Sequence, residues 1–159
     1  MRLKVGTLLL GLICVVPVLA GPQEKTAPLR IDYMGFSETV RVAEAALDFY
    51  YLQNSPMGRG ARLNLTQEQV RLYENWIERC GVFALKKPDV RVADPNHPGA
   101  QEYSHLQVTL GEQKLELSWT GVSLWNNPED KEKLDKAIDE LNKLCFRLLR
   151  EAGLIDTRP

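Results

Sequence analysis

Asp94, His97, Glu102 and His105 are the one cluster in this sequence with metal-ligand chemistry. Two imidazoles and two carboxylates suit a tetrahedral zinc, provided that the stretch around 94–102 folds back on a strand carrying His105. The same two side chains are the only histidines in the sequence, so a hydrolase reading must also draw its general base from them. The spacing argues against both chemistries. There is no His-Glu-x-x-His to put two ligands on one helix face, and His97 stands between Asn96 and Pro98 in a loop. A nucleophile elbow of the Gly-x-Ser-x-Gly type is absent. Cys80 and Cys145 fall on apolar stripes of their helices, where thiols are inert, and no Cys-x-x-Cys occurs. The expectation is no catalytic residue, no metal and no cofactor. A hydrolase or metal-binding protein using the Asp94, His97, Glu102 and His105 region is the alternative.

Recognition has better candidates. Met34-Gly35-Phe36-Ser37 places an aromatic beside a glycine between two strand-like runs, and Trp119-Thr120-Gly121-Val122-Ser123-Leu124-Trp125 carries two tryptophans out of a hairpin into a helix start. Aromatic side chains on loops are typical interface anchors. Gly35, Phe36, Leu124 and Trp125 are therefore the candidate binding residues. Trp125 has a second reading, a hydrophobic staple on the following helix, and Trp119 reads as the end of a buried face. The loop Asn54 to Gly60 lacks the Lys-Ser or Lys-Thr pair of a phosphate loop.

The elements that must carry these loops are legible from period and punctuation. Leu65 to Leu85 is the best marked: Thr66 and Gln69 form a capping box, Val70, Tyr73, Ile77 and Cys80 make an apolar stripe, and Gly81 stops the helix. Before it, period-two alternation predicts strands at Leu29 to Tyr33, Thr39 to Ala43 and Leu47 to Leu52, although Ala43 to Leu47 also suits a helix. After an irregular stretch from Lys86 to Tyr103, alternation at Leu106, Val108 and Leu110 and at Leu115, Leu117 and Trp119 predicts a hairpin. Asn127, Pro128 and Gly153 bracket a closing helix, with Leu134, Ile138, Leu141, Cys145 and Leu148 as its stripe, joined by Ala137, Leu144 and Ala152. The fold class is α+β: strands, helix, hairpin, helix, with an antiparallel sheet of about five strands and both helices on one face.

Residues 1–20 read as a secretory signal, with Arg2 and Lys4 ahead of an apolar run from Val5 to Val16 and Val18-Leu19-Ala20 before the cut. The run is too short to span a bilayer, which needs about 20 residues. Residues 21–28 read as a flexible leader, 29–153 as one domain and 154–159 as a tail. The whole chain has 20 basic and 21 acidic residues, net −1, and loss of Arg2 and Lys4 takes this to −3. That balance suits neither nucleic acid nor an anionic membrane surface, and with so short an apolar run no stable membrane anchor is expected. Cys14 leaves with the signal, and the remaining pair, Cys80 and Cys145, is either a disulfide or two buried free thiols.

The order of elements resembles the emfourin-type proteins, small inhibitors of thermolysin-like metalloproteases. Met34-Gly35-Phe36-Ser37 stands where that family has a Gly-Gly-Phe turn, Phe83-Ala84-Leu85 follows the capped helix, and Pro88-Asp89 and Tyr103 precede the hairpin. Met34 replaces the first glycine, and the segments before Leu65 and Tyr103 are longer than in that pattern. The resemblance implies an exported protein partner, an extracytoplasmic protease, met by the turn at Gly35 and Phe36. An exported family that shares only the architecture would look the same.

Overall fold

The computed structural model describes residues 28–51, 59–92, 96, 102–121, 123–125 and 127–155. Residues 1–27, which hold the expected signal and most of the expected leader, lie outside them, as do Asp94, His97 and residues 156–159.

The chain is an α+β fold. Strands β1 (Leu29–Met34), β2 (Glu38–Ala43), β3 (Ala46–Tyr51), β4 (Arg59–Asn64), β6 (Tyr103–Leu110) and β7 (Gln113–Thr120) form one antiparallel six-stranded sheet in the order β4-β3-β2-β1-β6-β7. Helix α1 (Gln67–Arg79) runs into a single 3-10 turn at Val82–Ala84, and helix α2 (Pro128–Glu151) closes the domain. Two short strands, β5 (Asp89–Val92) and β8 (Ser123–Leu124), pair as a separate ribbon. The main sheet thus has one strand more than the five expected. Gly60 hides the extra one: a glycine ends most strand patterns, but β4 is an edge strand, and Gly60 lies opposite Tyr50.

Register explains the core. Leu63, Leu47, Val42, Ile31, Val108 and Leu115 face one another across all six strands, as do Ala61, Phe49, Val40, Tyr33, Leu106 and Leu117. A one-residue slip anywhere would turn these rows into solvent, so the alternation fixes the pairing. Both rows join the buried faces of α1 and α2 in one core.

The capping box forms as expected, with Thr66 Oγ1 accepting from Gln69 N–H at 3.2 Å and Gln69 Oε1 from Thr66 N–H at 2.9 Å. Gly81 takes the left-handed φ of 58°. The stripe of α1 is rotated from the expected one: Tyr73, Trp76 and Ile77 are buried, while Val70 and Cys80 are half-buried. Trp76 turns inward because its indole N–H finds the Ala137 carbonyl of α2 at 2.9 Å, and a buried tryptophan needs such a partner. In α2 the stripe gains Leu149, Ile138 is half-buried, and Ala152 is exposed past the end of the helix.

Ala43 to Leu47 is no helix. Ala43 pairs with Ala46, which leaves Glu44 and Ala45 as a two-residue hairpin turn with φ of 50° and 55°. Two positive φ values define the turn whose twist matches a hairpin, and Asn-Gly fills it best. Glu44→Asn with Ala45→Gly should therefore stabilise the fold by about 1 kcal/mol or more, read as a higher urea midpoint at unchanged slope. The β6–β7 turn already carries glycine at its first central position, Gly111, with φ of 60°.

Candidate functional site

The outward side of the sheet has two kinds of surface. Across its middle runs a charged row, Arg62, Asp48, Arg41, Asp32, Gln107 and Glu116, in register over six strands. Signs alternate over its first four members, and opposite charges facing across strands suit a solvated surface. Toward the β1–β2 turn the next row reads Tyr50, Thr39, Met34, His105 and Ser118, with Tyr103 on the same face of β6. Met34, Tyr50 and Tyr103 are each more than two-fifths exposed, and Phe36 at the turn is 71% exposed. From β3 to β6 this spans about 14 Å at the spacing of neighbouring strands.

Phe36 rides on a braced support. The Gly35 N–H donates to the Glu38 carbonyl at 2.8 Å, closing the hairpin with Phe36 and Ser37 at its tip. Beneath the tip the Tyr33 hydroxyl donates to Glu38 Oε1 at 3.1 Å, and the Asn142 amide of α2 donates to the same oxygen at 3.0 Å. Tyr33 is buried, and that burial, then the neighbouring carboxylate of Glu38, raises its pKa well above the ordinary phenol range. Its hydroxyl stays protonated and serves as a fixed donor. Gly35 is required by space: a Cβ there would lie 2.3 Å from Tyr33 Oη and 2.8 Å from Tyr33 Cζ. The candidate residues thus divide, with Phe36 presented to solvent and Gly35 making room for the brace.

Leu124 is 45% exposed on the β5–β8 ribbon, and Trp125 is half-buried against the core. Because Tyr103 pairs with Thr120 and Met34 with His105, the exit of β7 and the Phe36 turn lie at the same end of the sheet. Met34, Tyr50 and Tyr103 are additions to the expected site. Tyr50 has a signal in the sequence: it is an aromatic on the polar side of a strand whose other side is Leu47, Phe49 and Tyr51.

The metal and hydrolase candidates are not brought together among the described residues, where no group of three or more His, Cys, Asp or Glu is placed to hold a metal ion. His105 Nδ1 is 2.9 Å from Ser118 Oγ, its cross-strand neighbour, and the Tyr103 hydroxyl donates to that same oxygen at 2.9 Å. This is a serine-to-histidine contact on an open sheet face, with no carboxylate on the imidazole among the described residues. Glu102 accepts the Gly121 N–H through its backbone carbonyl at 3.2 Å.

Cys80 and Cys145 are free thiols. Burial pushes the Cys145 thiol up to about 12, opposed by its contact with the Tyr73 hydroxyl at 3.6 Å. Burial likewise raises Cys80, with Glu140 adding to it and Arg79 opposing. Reductant should leave the melting temperature unchanged, whereas a bridge would make it fall. The unfolded chain sheds the Cys145 proton first, so stability holds below about pH 9 and is lost as pH rises toward the folded value. Urea unfolding between pH 7 and 11 measures this.

No helix among the described residues is long and apolar enough to cross a membrane. No protein-family model and no curated protein matches the sequence.

Proposed function

We propose that the chain is an exported, non-catalytic binding module that grips a protein partner through Phe36 and the apolar end of the open sheet face. Its partner, on this reading, is an extracytoplasmic protease of the thermolysin-like class, as the resemblance of Met34-Gly35-Phe36-Ser37 to the emfourin turn implies. One observation carries the proposal: Phe36 is 71% exposed on a hairpin tip whose backbone is fixed from below by Tyr33, Glu38 and Asn142. Exposing an aromatic gives folding nothing, whereas a rigid aromatic anchor loses little entropy on binding. Met34, Tyr50 and Tyr103 widen the contact on the same face.

A capture experiment tests it. Mature wild-type protein and a Phe36→Ala variant are used as baits on the extracytoplasmic fraction of the native host. A protease retained by the wild type and lost from the variant is the expected result. Equal retention by both would remove Phe36 from the interface.

A further inference from the structure

The core covers the two edges of the sheet unequally. At β7 the inward residues Leu115 and Leu117 are buried, and the 3-10 turn at Val82–Ala84 lies beside the strand. At β4 the inward residues Ala61 and Leu63 are only half-buried, although Phe49 and Leu47, which face them on β3, are fully buried. The apolar layer thus runs out to a free edge.

Hydrogen-bond phase shows what that edge offers. The Leu65 N–H donates to the Ala45 carbonyl at 2.8 Å, and the β3–β4 register sets these two residues opposite each other. Bonded and unbonded pairs alternate along an antiparallel ladder, so Ala61 and Leu63 turn their backbone groups to β3 while Gly60, Arg62 and Asn64 turn theirs outward. Among the described residues no strand and no loop bonds to those outward groups. Gly60, Arg62 and Asn64 are exposed, and β4 has neither proline nor bulge to blunt it. An unblunted edge is a template for another strand.

Charge and size narrow the strand it takes. Arg62, the charged side chain of the stretch Gly60 to Asn64, is tied to Asp48 at 3.2 Å, so the edge does not call for an anionic partner. Small and aliphatic residues must continue the half-covered Ala61 and Leu63, and β4 itself has them. Of the two-fold registers that pair Arg62 through its outward groups within β4, one sets Arg62 against Arg62, which like charge disfavours. Another centres on Ala61 and leaves Leu63 opposite Arg59. The last centres on Leu63, bringing two copies of it together as an unbonded pair, where side chains lie closest, and it sets each Arg62 against Asn64.

We propose that β4 pairs with β4 of a second copy of this chain, antiparallel about a two-fold axis at Leu63, so that two six-stranded sheets become one. Arg62 and Asn64 exchange backbone hydrogen bonds across the axis, and the two Leu63 side chains cover each other. This edge is not part of the Phe36 surface, and neither proposal rests on the other.

Sedimentation of the mature protein from about 10 µM to about 1 mM tests the pairing, a range suited to so small an interface. Dimer should form within it, and amide exchange at Arg62 and Asn64 should slow as concentration rises while that at Ala61 and Leu63 stays constant. Asn64→Arg sets arginine against Arg62 and should weaken the dimer by about tenfold, whereas Asn64→Asp should tighten it. Arg62→Pro removes an outward N–H, which an edge strand tolerates, and should leave the chain monomeric. Asn64 is exposed, so its variants should melt near the wild type, and they decide the matter if Arg62→Pro fails to fold. Monomer throughout the range, or a dimer as tight in Asn64→Arg as in the wild type, would overturn the proposal.

Discussion

Replacing Trp76 by Ala should destabilise the fold by about 3–5 kcal/mol, the range for emptying a buried indole site. Trp76 is 1% exposed and sits in the one core that joins α1, α2 and the sheet. Its indole N–H is tied to the Ala137 carbonyl at 2.9 Å, and these two residues fix how the helices meet. Beside them Arg79 pairs with Glu140 at the surface, which exposure makes a weak contributor. Trp76→Phe keeps most of the volume and loses the hydrogen bond, so about 1–2 kcal/mol is expected. Ala137 lies within α2, where its carbonyl keeps a helical partner, so no orphan acceptor adds to that figure. Urea unfolding of the three proteins should rank the wild type first, Trp76→Phe second and Trp76→Ala last. A loss below about 1 kcal/mol for Trp76→Ala would mean that the helix pair does not depend on this contact.

Gly35→Ala should cost about 2–4 kcal/mol through overpacking and a broken polar cluster. The new Cβ would meet Tyr33 Oη at 2.3 Å and Glu38 Oε1 at 3.1 Å. Flexible side-chain ends often swing aside, but Tyr33 is only 5% exposed and wedged between Val40 and Leu106 across the sheet. Moving it takes one of two donors from Glu38 Oε1 and leaves that carboxylate to Asn142, whose own amide oxygen is already buried without a hydrogen-bond partner. A double-mutant cycle with Tyr33→Phe separates the causes. Removing the hydroxyl relieves the nearest clash, so Gly35→Ala should be milder in a chain that already carries Tyr33→Phe than in the wild type. Strict additivity would show that Gly35 is needed for something other than Tyr33.

Much of the scaffold was legible because its signals are local. Thr66 and Gln69 announce the start of α1, Gly81 its end, and alternation in Leu106 to Leu117 gives the hairpin and its buried side. What escaped depends on contacts distant in sequence. Trp76 shares the face of Tyr73 and Ile77 by helical period, but its partner, the Ala137 carbonyl 61 residues away, is given only by the fold. β4 is interrupted in pattern by Gly60 and β5 is only four residues long, so both are defined by partners rather than by pattern. The Glu44-Ala45 turn defied its residues' preferences because the pairing of β2 with β3 overrides local propensity. Of the candidate site, Phe36 was legible as an aromatic in a turn. The rest of the patch emerged only from register, which sets Tyr50, Met34 and Tyr103 on one face.

The most direct test of the Phe36 surface is the inhibition constant of the mature protein and of Phe36→Ala against a thermolysin-like protease from the same extracytoplasmic fraction, with both melting temperatures recorded. Phe36 is exposed, so the substitution should leave stability within about 0.5 kcal/mol. An interface anchor should weaken inhibition by about thirtyfold or more, the equivalent of at least 2 kcal/mol. Inhibition that survives Phe36→Ala at full strength, or no inhibition by the wild-type protein, would contradict the proposed function.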